Sequence, residues 1–272
     1  NFGSIAGPAI GGLLLASGGA AAAYGVDMAS FLLSVAFLWR LKPVRPDREV
    51  VERPALRQVV EGMRYALSRK DLVGTYLVDL AAMIFAFPYA LFPFLAAQLD
   101  ADWALGLLYA AGSVGGIVVT LTSGWVRHVH RHGRAIILAA SCWGLAIGMT
   151  GVALGSAHSL LIILLLLACA GAADMVSGIF RGLMWNQTIP DEVRGRMAGI
   201  EMLSYSIGPL LGQVRASATA SVTSLRFSLA SGGVLCIIAV GIAAIAFPAL
   251  WRYDDRTDAH ARRERERRRD RG

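Results

Sequence analysis

The chain alternates between long apolar runs and short polar stretches. Each run reaches about 20 residues with few charges, and a helix of that length crosses roughly 30 Å of hydrocarbon. The runs fall at about 3–21, 24–41, 72–97, 103–126, 135–156, 159–181, 197–217 and 226–250. This pattern predicts an all-α integral membrane protein with eight transmembrane helices.

Two polar segments separate or follow these runs. Residues 42–71 form a connector, in which 42–53 is polar and proline-containing, whereas apolar residues recur on one helical face from Pro54 to Ser68. We expect that amphipathic helix to lie at the membrane interface with its arginines toward phosphates. A soluble connector helix is the alternative. Residues 252–272 have no apolar periodicity, which predicts a disordered or frayed tail that touches anionic lipid.

Composition supports a membrane protein and narrows the chemistry. Apolar residues make up 56% of the 272 residues, against about 45–50% in soluble domains. The three cysteines lie in different apolar runs, and the three histidines of 127–134 alternate along a basic loop. Neither spacing is that of a disulfide framework or a metal site. No phosphate-binding loop or catalytic triad motif occurs, so we expect no cofactor, no metal and no enzymatic activity.

The positive charges indicate the topology. All but two of the 26 Lys and Arg residues fall in segments 40–70, 127–134, 181–196 and 252–272. With eight spans, these segments lie on one side of the membrane, and positive loops stay cytoplasmic. The net charge of +7 is therefore a topology signal, and nucleic-acid binding is not expected. The exception at Arg215 lies near the outer end of its run, where its side chain can snorkel to water.

Ionisable side chains inside the runs are candidates for a proton or substrate pathway, since each costs about 2.5–3.5 kcal/mol at the membrane centre. Asp79 lies about 12 Å deep at 1.5 Å per residue. Asp174 and Glu201 lie closer to basic ends, and Gln213 is an uncharged candidate. The alternative for each acid is an ion pair or a cap, for example between Asp174 and Arg181. Likewise, the aromatic run 85–94 either stacks on an aromatic ligand or packs around its two prolines.

The first run contains a regular set of small residues: Gly3, Gly7, Pro8, Gly11 and Gly12. Glycines four apart share one helical face and let another backbone approach closely in lipid, while the proline bends the helix. Gly112 and Gly116 repeat the spacing in the fourth run. We therefore expect these two glycine faces to pack on each other.

Several stretches together resemble one family. The segment GSIAGPAIGG fits the pattern G-x3-G-P-x2-G-G, the antiporter motif in the fifth helix of major facilitator exporters. Other segments resemble the enterobactin-exporter and macrolide-efflux branch: LVDLAAMIFAFPYALFP, AGAADMVSG and TIPDEVRGRM. Two cytoplasmic loops carry further matches. In the first, only Arg131, Gly133 and Arg134 agree with the family motif, and in the second the matching residues are Pro190, Arg194, Gly195 and Arg196.

The resemblance implies a partial major facilitator fold that contains helices five to twelve of twelve, so we expect an N-terminally truncated chain. Residues 1–41 would be the last two helices of the N-terminal half, 42–71 the cytoplasmic connector, 72–251 the C-terminal six-helix half, and 252–272 a charged cytoplasmic tail.

The resemblance also implies a function. It predicts a monomeric, multi-pass protein of the bacterial inner membrane that exports a small amphipathic siderophore or drug by alternating access, driven by protons. An importer or facilitator on the same fold, or a non-transporting membrane fragment or scaffold, is the alternative.

Overall fold

The computed structural model describes residues 2–40, 64–156 and 158–269. These residues form helices and connecting turns, and none of them lies in a strand, which confirms the all-α fold class. The helices are α1 (Phe2–Trp39), α2 (Lys70–Ala86), α3 (Phe92–Gln98), α4 (Leu105–Leu121), α5 (His132–Ala153), α6 (Ser159–Thr188), α7 (Asp191–Val222), α8 (Leu225–Ala246), α9 (Pro248–Trp251) and α10 (Ala259–Arg269).

Six segments of the described chain are long and apolar enough to cross a membrane. They are Ala21–Trp39, Lys70–Gln98, Asp102–Leu121, His132–Ala153, Ser159–Thr188 and Leu225–Ala246. The other two predicted spans, 3–21 and 197–217, are also helical and lie within α1 and α7. Helix α7 has 32 residues, or about 48 Å at 1.5 Å per residue, but it carries more polar side chains than the other spans.

Helix α1 changes direction at Gly19. This residue has φ +69° and ψ −175°, a left-handed conformation that glycine adopts without a steric penalty. The predicted boundary between the first two spans therefore falls at this glycine. Beyond it, large apolar side chains such as Phe31 and Trp39 are exposed, as expected for a helix whose surroundings are lipid rather than water.

The third predicted span is two helices joined by a break. Helix α2 ends at Ala86, Phe87 is extended, and a 3₁₀ turn over Tyr89–Leu91 leads into α3. Pro88 precedes this turn and Pro93 lies in the first turn of α3. A proline lacks the N–H that a continuous helix needs, so the bends expected at both prolines are present.

The helices pack closely in the described part of the bundle. Helix α5 packs against α6 and α8, α4 against α6, and α2 against α7 and α8. Glycines make the closest approaches possible, because a Cβ atom on Gly171 of α6 would lie 1.9 Å from the carbonyl oxygen of Gly112 on α4. Small residues are the usual means by which helices approach in lipid.

This packing gives the glycines of the fourth run a neighbour that the sequence did not indicate. A Cβ atom on Gly112 would point to Gly171, at 3.9 Å from its Cα, and one on Gly116 would lie 3.2 Å from the Met175 methyl carbon. Both glycines thus open space beside α6. Helix α1 does contact α4, but the side-chain positions of the first run are outside the described residues, so the packing of the two glycine faces stays a prediction.

The connector and the tail meet the same end of the bundle, where α6 ends at Thr188. Residues 54–63 of the predicted amphipathic helix are outside the described residues. Residues 64–68 are helical, and Arg69 is extended, with φ −113° and ψ 96°, which separates them from α2. The Tyr65 hydroxyl donates to the Thr188 carbonyl at 3.0 Å, and Ala66 is buried against Trp185. This part of the helix therefore packs on protein.

The prediction of a disordered or frayed tail is wrong for residues 253–263. Asp258 accepts hydrogen bonds from the amides of His260 and Ala261, so it caps the start of α10. Ala261 is fully buried, and His260 Nε2 lies 3.0 Å from the carbonyl oxygen of Thr188. A local cap and two buried residues, Tyr253 and Ala261, order a segment that has no apolar period.

The tail also changes the surroundings of the histidine loop. The sequence places no carboxylate near that loop, whereas the fold brings Asp255 to 3.1 Å from His130 Nδ1 and Arg256 to the other ring nitrogen. These partners link the loop to the tail. No group of three or more potential metal ligands occurs among the described residues.

Candidate functional site

Asp79 forms a buried ion pair between two helices. Asp79 on α2 is 4% exposed and Arg181 on α6 is 3% exposed, and Arg181 Nη1 lies 2.5 Å from Asp79 Oδ1. The Ser204 hydroxyl on α7 approaches Asp79 Oδ2 at 3.5 Å. The carboxylate points into the bundle, as its insertion cost requires, and it is paired rather than free.

Tyr205 and Glu201 continue the contacts of this ion pair toward the start of α7. The Arg181 guanidinium carbon lies 5.7 Å from the ring centre of Tyr205, within the range of a cation–π contact. The Tyr205 hydroxyl donates to Glu201 at 3.0 Å. Glu201 therefore accepts its hydrogen bond from an uncharged side chain. The Arg181 guanidinium contacts both the Asp79 carboxylate and the face of the Tyr205 ring.

A second group of polar contacts closes the same region between α2 and α6. Trp185 Nε1 donates to the Thr75 hydroxyl at 3.0 Å, and the ring centres of Tyr76 and Trp185 lie 4.9 Å apart. Together with Glu201, these two rings border a small cavity of about 130 Å³. We call the ion pair and the side chains around it the Asp79–Arg181 cluster. Its other members are Thr75, Tyr76, Trp185, Glu201, Ser204 and Tyr205.

A separate cavity of about 170 Å³ lies beside the break between α2 and α3. We call it the aromatic cavity, because aromatic rings form much of its wall. The rings belong to Phe87, Tyr89, Phe92 and Trp143. Asp174 reaches the cavity from α6 and is the only charged side chain among the described residues that line it.

The aromatic wall is held in place by its own contacts. The rings of Phe87 and Tyr89 stack with centres 4.5 Å apart, and Tyr89 and Phe92 follow at 5.1 Å. The Tyr109 hydroxyl donates to the Tyr89 carbonyl at 3.2 Å. Three of the five aromatic residues of the run thus line the cavity, whereas Phe94 is 61% exposed and belongs to the outer surface.

Helix α6 connects the aromatic cavity with the Asp79–Arg181 cluster. Asp174 and Arg181 are seven residues apart, which places them on one face about 10 Å apart along the axis. The alternative pairing of Asp174 with Arg181 is wrong, because Arg181 pairs with Asp79. Within the described chain, Asp174 has neither a hydrogen bond nor an ion pair.

Gln213 and Arg215 lie in the second half of α7. Gln213 is half-buried and borders neither cavity. Arg215 does not snorkel as expected, because its Nη1 donates to the Ser228 carbonyl of α8 at 3.3 Å. A Cβ atom on Gly232 would lie 2.6 Å from Arg215 Nη2. The glycine provides the space that keeps the arginine inside the bundle.

The first loop motif has a packing explanation. A Cβ atom on Gly133 would lie 1.7 Å from the carbonyl oxygen of Leu250, so only glycine fits against α9. The Arg134 guanidinium carbon lies 5.2 Å from the ring centre of Trp251, and Arg131 is exposed. These contacts fasten the start of α5 to the end of the bundle.

The other predicted positions are described only in part. Pro190 is the residue before α7, and Gly195 is exposed in its first turns. The side chains of Arg194 and Arg196 are outside the described residues. The same holds for the side chains of the first-run motif, whose backbone at Gly3, Gly7, Pro8, Gly11 and Gly12 is helical within α1.

Sequence reasoning named Arg181 as a partner for Asp174 and missed its pairing with Asp79. Arg181 was expected at the very end of its span, yet it lies in α6, seven residues before the last residue of that helix. The spacing held a signal: Thr75 and Asp79 are four apart, as are Arg181 and Trp185. Residues four apart share a helical face, so each pair presents one polar side to the bundle.

The chain was compared with known proteins. A sequence family described as transmembrane secretion effector matches residues 1–266. The chain is 30% identical over 241 residues to the enterobactin exporter EntS of Shigella flexneri, which covers 88% of this chain and 56% of that protein. The same exporter of Escherichia coli O81 (strain ED1a) is 30% identical over 241 residues, with 88% and 57% covered.

The chain therefore spans little more than half the length of these curated relatives. No solved structure matches it. The family match covers nearly the whole chain, and the helical fold with its apolar spans agrees with that match. The chain belongs to the transmembrane secretion effector family of major facilitator proteins.

Proposed function

We propose that the protein is a secondary active exporter of a small amphipathic compound, such as a siderophore or a drug-like molecule, in the bacterial inner membrane. The family match and the printed name of the relatives support export. The aromatic cavity supports an amphipathic compound, since it combines rings with one carboxylate. Transport would proceed by alternating access, with the C-terminal six-helix half, residues 72–251, rocking against the N-terminal half to which residues 1–41 belong.

We further propose that protons drive this export and that Asp174 carries the proton. Of the three candidate acids, Asp79 is held by Arg181 and Glu201 accepts a hydrogen bond from Tyr205. Asp174 faces a cavity without such a partner in the described chain. A carboxyl group must be free of a fixed counter-ion to bind and release a proton, and the passage of one charge through 100 mV supplies about 2.3 kcal/mol.

In this proposal the Asp79–Arg181 cluster is a positioning element. It ties α2 to α6 and α7 beside the cavity, so that the α2–α3 break and Asp174 keep their relative positions. The protein acts as a monomer within the lipid bilayer, with its C-terminal tail in the cytoplasm. The basic loops on that side support the orientation.

The observation that carries the proposal is the carboxylate of Asp174, which faces the aromatic cavity and has no ion-pair partner among the residues that the structure describes. The test uses inverted membrane vesicles from cells that express the complete gene product. Energised vesicles should accumulate at least one labelled compound from a panel of enterobactin and aromatic amines, and a protonophore should abolish the accumulation. Asp174→Asn should remove it, whereas Asp102→Asn, an exposed acid outside the bundle, should not. Accumulation that survives the protonophore would contradict proton coupling, and a panel of drug-like cations tested in the same way would identify a different substrate.

A further inference from the structure

The size of the aromatic cavity limits what it can hold. Its volume of about 170 Å³ is close to the roughly 150 Å³ of a protein cavity that binds benzene. Pockets for a whole drug-sized ligand measure about 300–1,000 Å³. The cavity therefore accommodates one ring and a short substituent, and the rest of a larger compound has to lie outside it.

The walls of the cavity suit a flat ring. Phe87, Tyr89 and Phe92 form a stacked series on one side. On α4, the lining glycines 112 and 116 carry no Cβ atom, and the nearest atom to a Cβ on Gly112 would be the Tyr89 hydroxyl oxygen at 3.8 Å. An aromatic ring can enter between these two walls and make offset or edge contacts with the tyrosine and phenylalanine rings.

The charge of the cavity favours a cation. Asp174 is the only charged group among the described lining residues, and the nearest arginine along α6 is neutralised by Asp79. A carboxylate attracts an ammonium group, and aromatic faces do so as well. An anionic ring compound would place two negative charges together in a medium of low dielectric constant, which is unfavourable.

We infer that the aromatic cavity is a subsite for a single aromatic ring that bears a protonated amine, with the amine on the Asp174 carboxylate. That the bound group belongs to the transported compound rests on the proposed function. The binding itself does not, so the two claims can fail separately.

The test measures binding of three ring compounds of equal size to the purified protein in lipid nanodiscs. Equilibrium dialysis with labelled benzylamine gives its dissociation constant, and competition gives those of benzyl alcohol and benzoate. Benzylamine should bind at least about tenfold more tightly than benzyl alcohol, because a hydrogen bond to a charged group is the stronger one. Benzoate should not compete.

Two variants separate the effect of charge from the effect of size. Asp174→Asn should remove the preference for the amine and leave benzyl alcohol binding unchanged, Asp174→Glu should restore part of it, and Asp102→Asn should have no effect. Gly112→Ala adds a methyl group with only ordinary contacts, so the protein should fold while both benzylamine and benzyl alcohol bind several-fold more weakly.

Equal binding of all three compounds, or an amine preference that survives Asp174→Asn, overturns the inference. If this binding pattern holds while vesicles accumulate no compound, the subsite stands and the exporter proposal fails.

Discussion

Removal of one partner of the Asp79–Arg181 pair should destabilise the protein strongly. Asp79→Asn keeps the shape of the side chain but removes its charge. Arg181 would then remain 3% exposed, with no carboxylate at its Nη1 atom. The Tyr205 ring at 5.7 Å is the one other favourable contact of the guanidinium that we describe, and it is too weak to replace a carboxylate.

Two independent estimates give the same magnitude. Breaking a buried ion pair from one side costs about 3–5 kcal/mol, since an uncompensated charge stays buried. An arginine within the membrane core costs about 2.5–3.5 kcal/mol on insertion scales. We take a loss of about 3 kcal/mol, which at roughly 2–4 °C per kcal/mol for a chain of this size lowers the melting temperature by about 6–12 °C.

The double variant Asp79→Asn/Arg181→Gln tests whether the uncompensated charge of Arg181 causes the loss of stability. It removes both charges and leaves two amides that can hydrogen-bond to each other, so most of the lost stability should return. The assay follows tryptophan fluorescence of the purified protein in detergent during heating, with Asp102→Asn as the control. A shift below about 2 °C for Asp79→Asn, or a double variant less stable than either single variant, would refute this reasoning.

Two further predictions concern packing and topology. Gly171→Ala places a Cβ atom 1.9 Å from the Gly112 carbonyl oxygen, so overpacking should cost about 1–3 kcal/mol or more. Gly178→Ala, on the same helix with nothing within 4 Å, should leave the melting temperature nearly unchanged, and equal effects of the two would contradict the α4–α6 contact. In a cysteine-free background, an impermeant maleimide added outside intact cells should label Ser221→Cys but not His128→Cys. The reverse pattern would show that the orientation is inverted.

The helices were predictable because the membrane imposes one simple requirement. A chain in lipid must satisfy its backbone internally, so long apolar runs become helices whatever their neighbours are. The break between α2 and α3 was predictable for a similarly local reason, since Pro88 and Pro93 cannot donate backbone hydrogen bonds. Asp79 was expected to face the bundle because a charge in lipid is costly, and the structure buries it.

The partners of these residues were not predictable, because they depend on which helices meet. Asp79 and Arg181 are far apart in sequence, and only the packing of α2 against α6 brings them together. The same reason explains why Gly112 approaches Gly171. The tail is ordered by the helix cap at Asp258 and by the contact of His260 with Thr188, which is distant in sequence. The charge composition of the tail indicated neither interaction.

The central claim is that Asp174 carries the proton during transport, whereas the Asp79–Arg181 ion pair holds the helices in position. The most direct test compares two variants of the complete gene product in energised inverted vesicles, with expression and melting temperature matched. The account predicts that Asp174→Asn abolishes accumulation of the exported compound, and that the charge-free pair Asp79→Asn/Arg181→Gln retains most of it. Accumulation that survives Asp174→Asn but is lost in the charge-free pair would contradict the account.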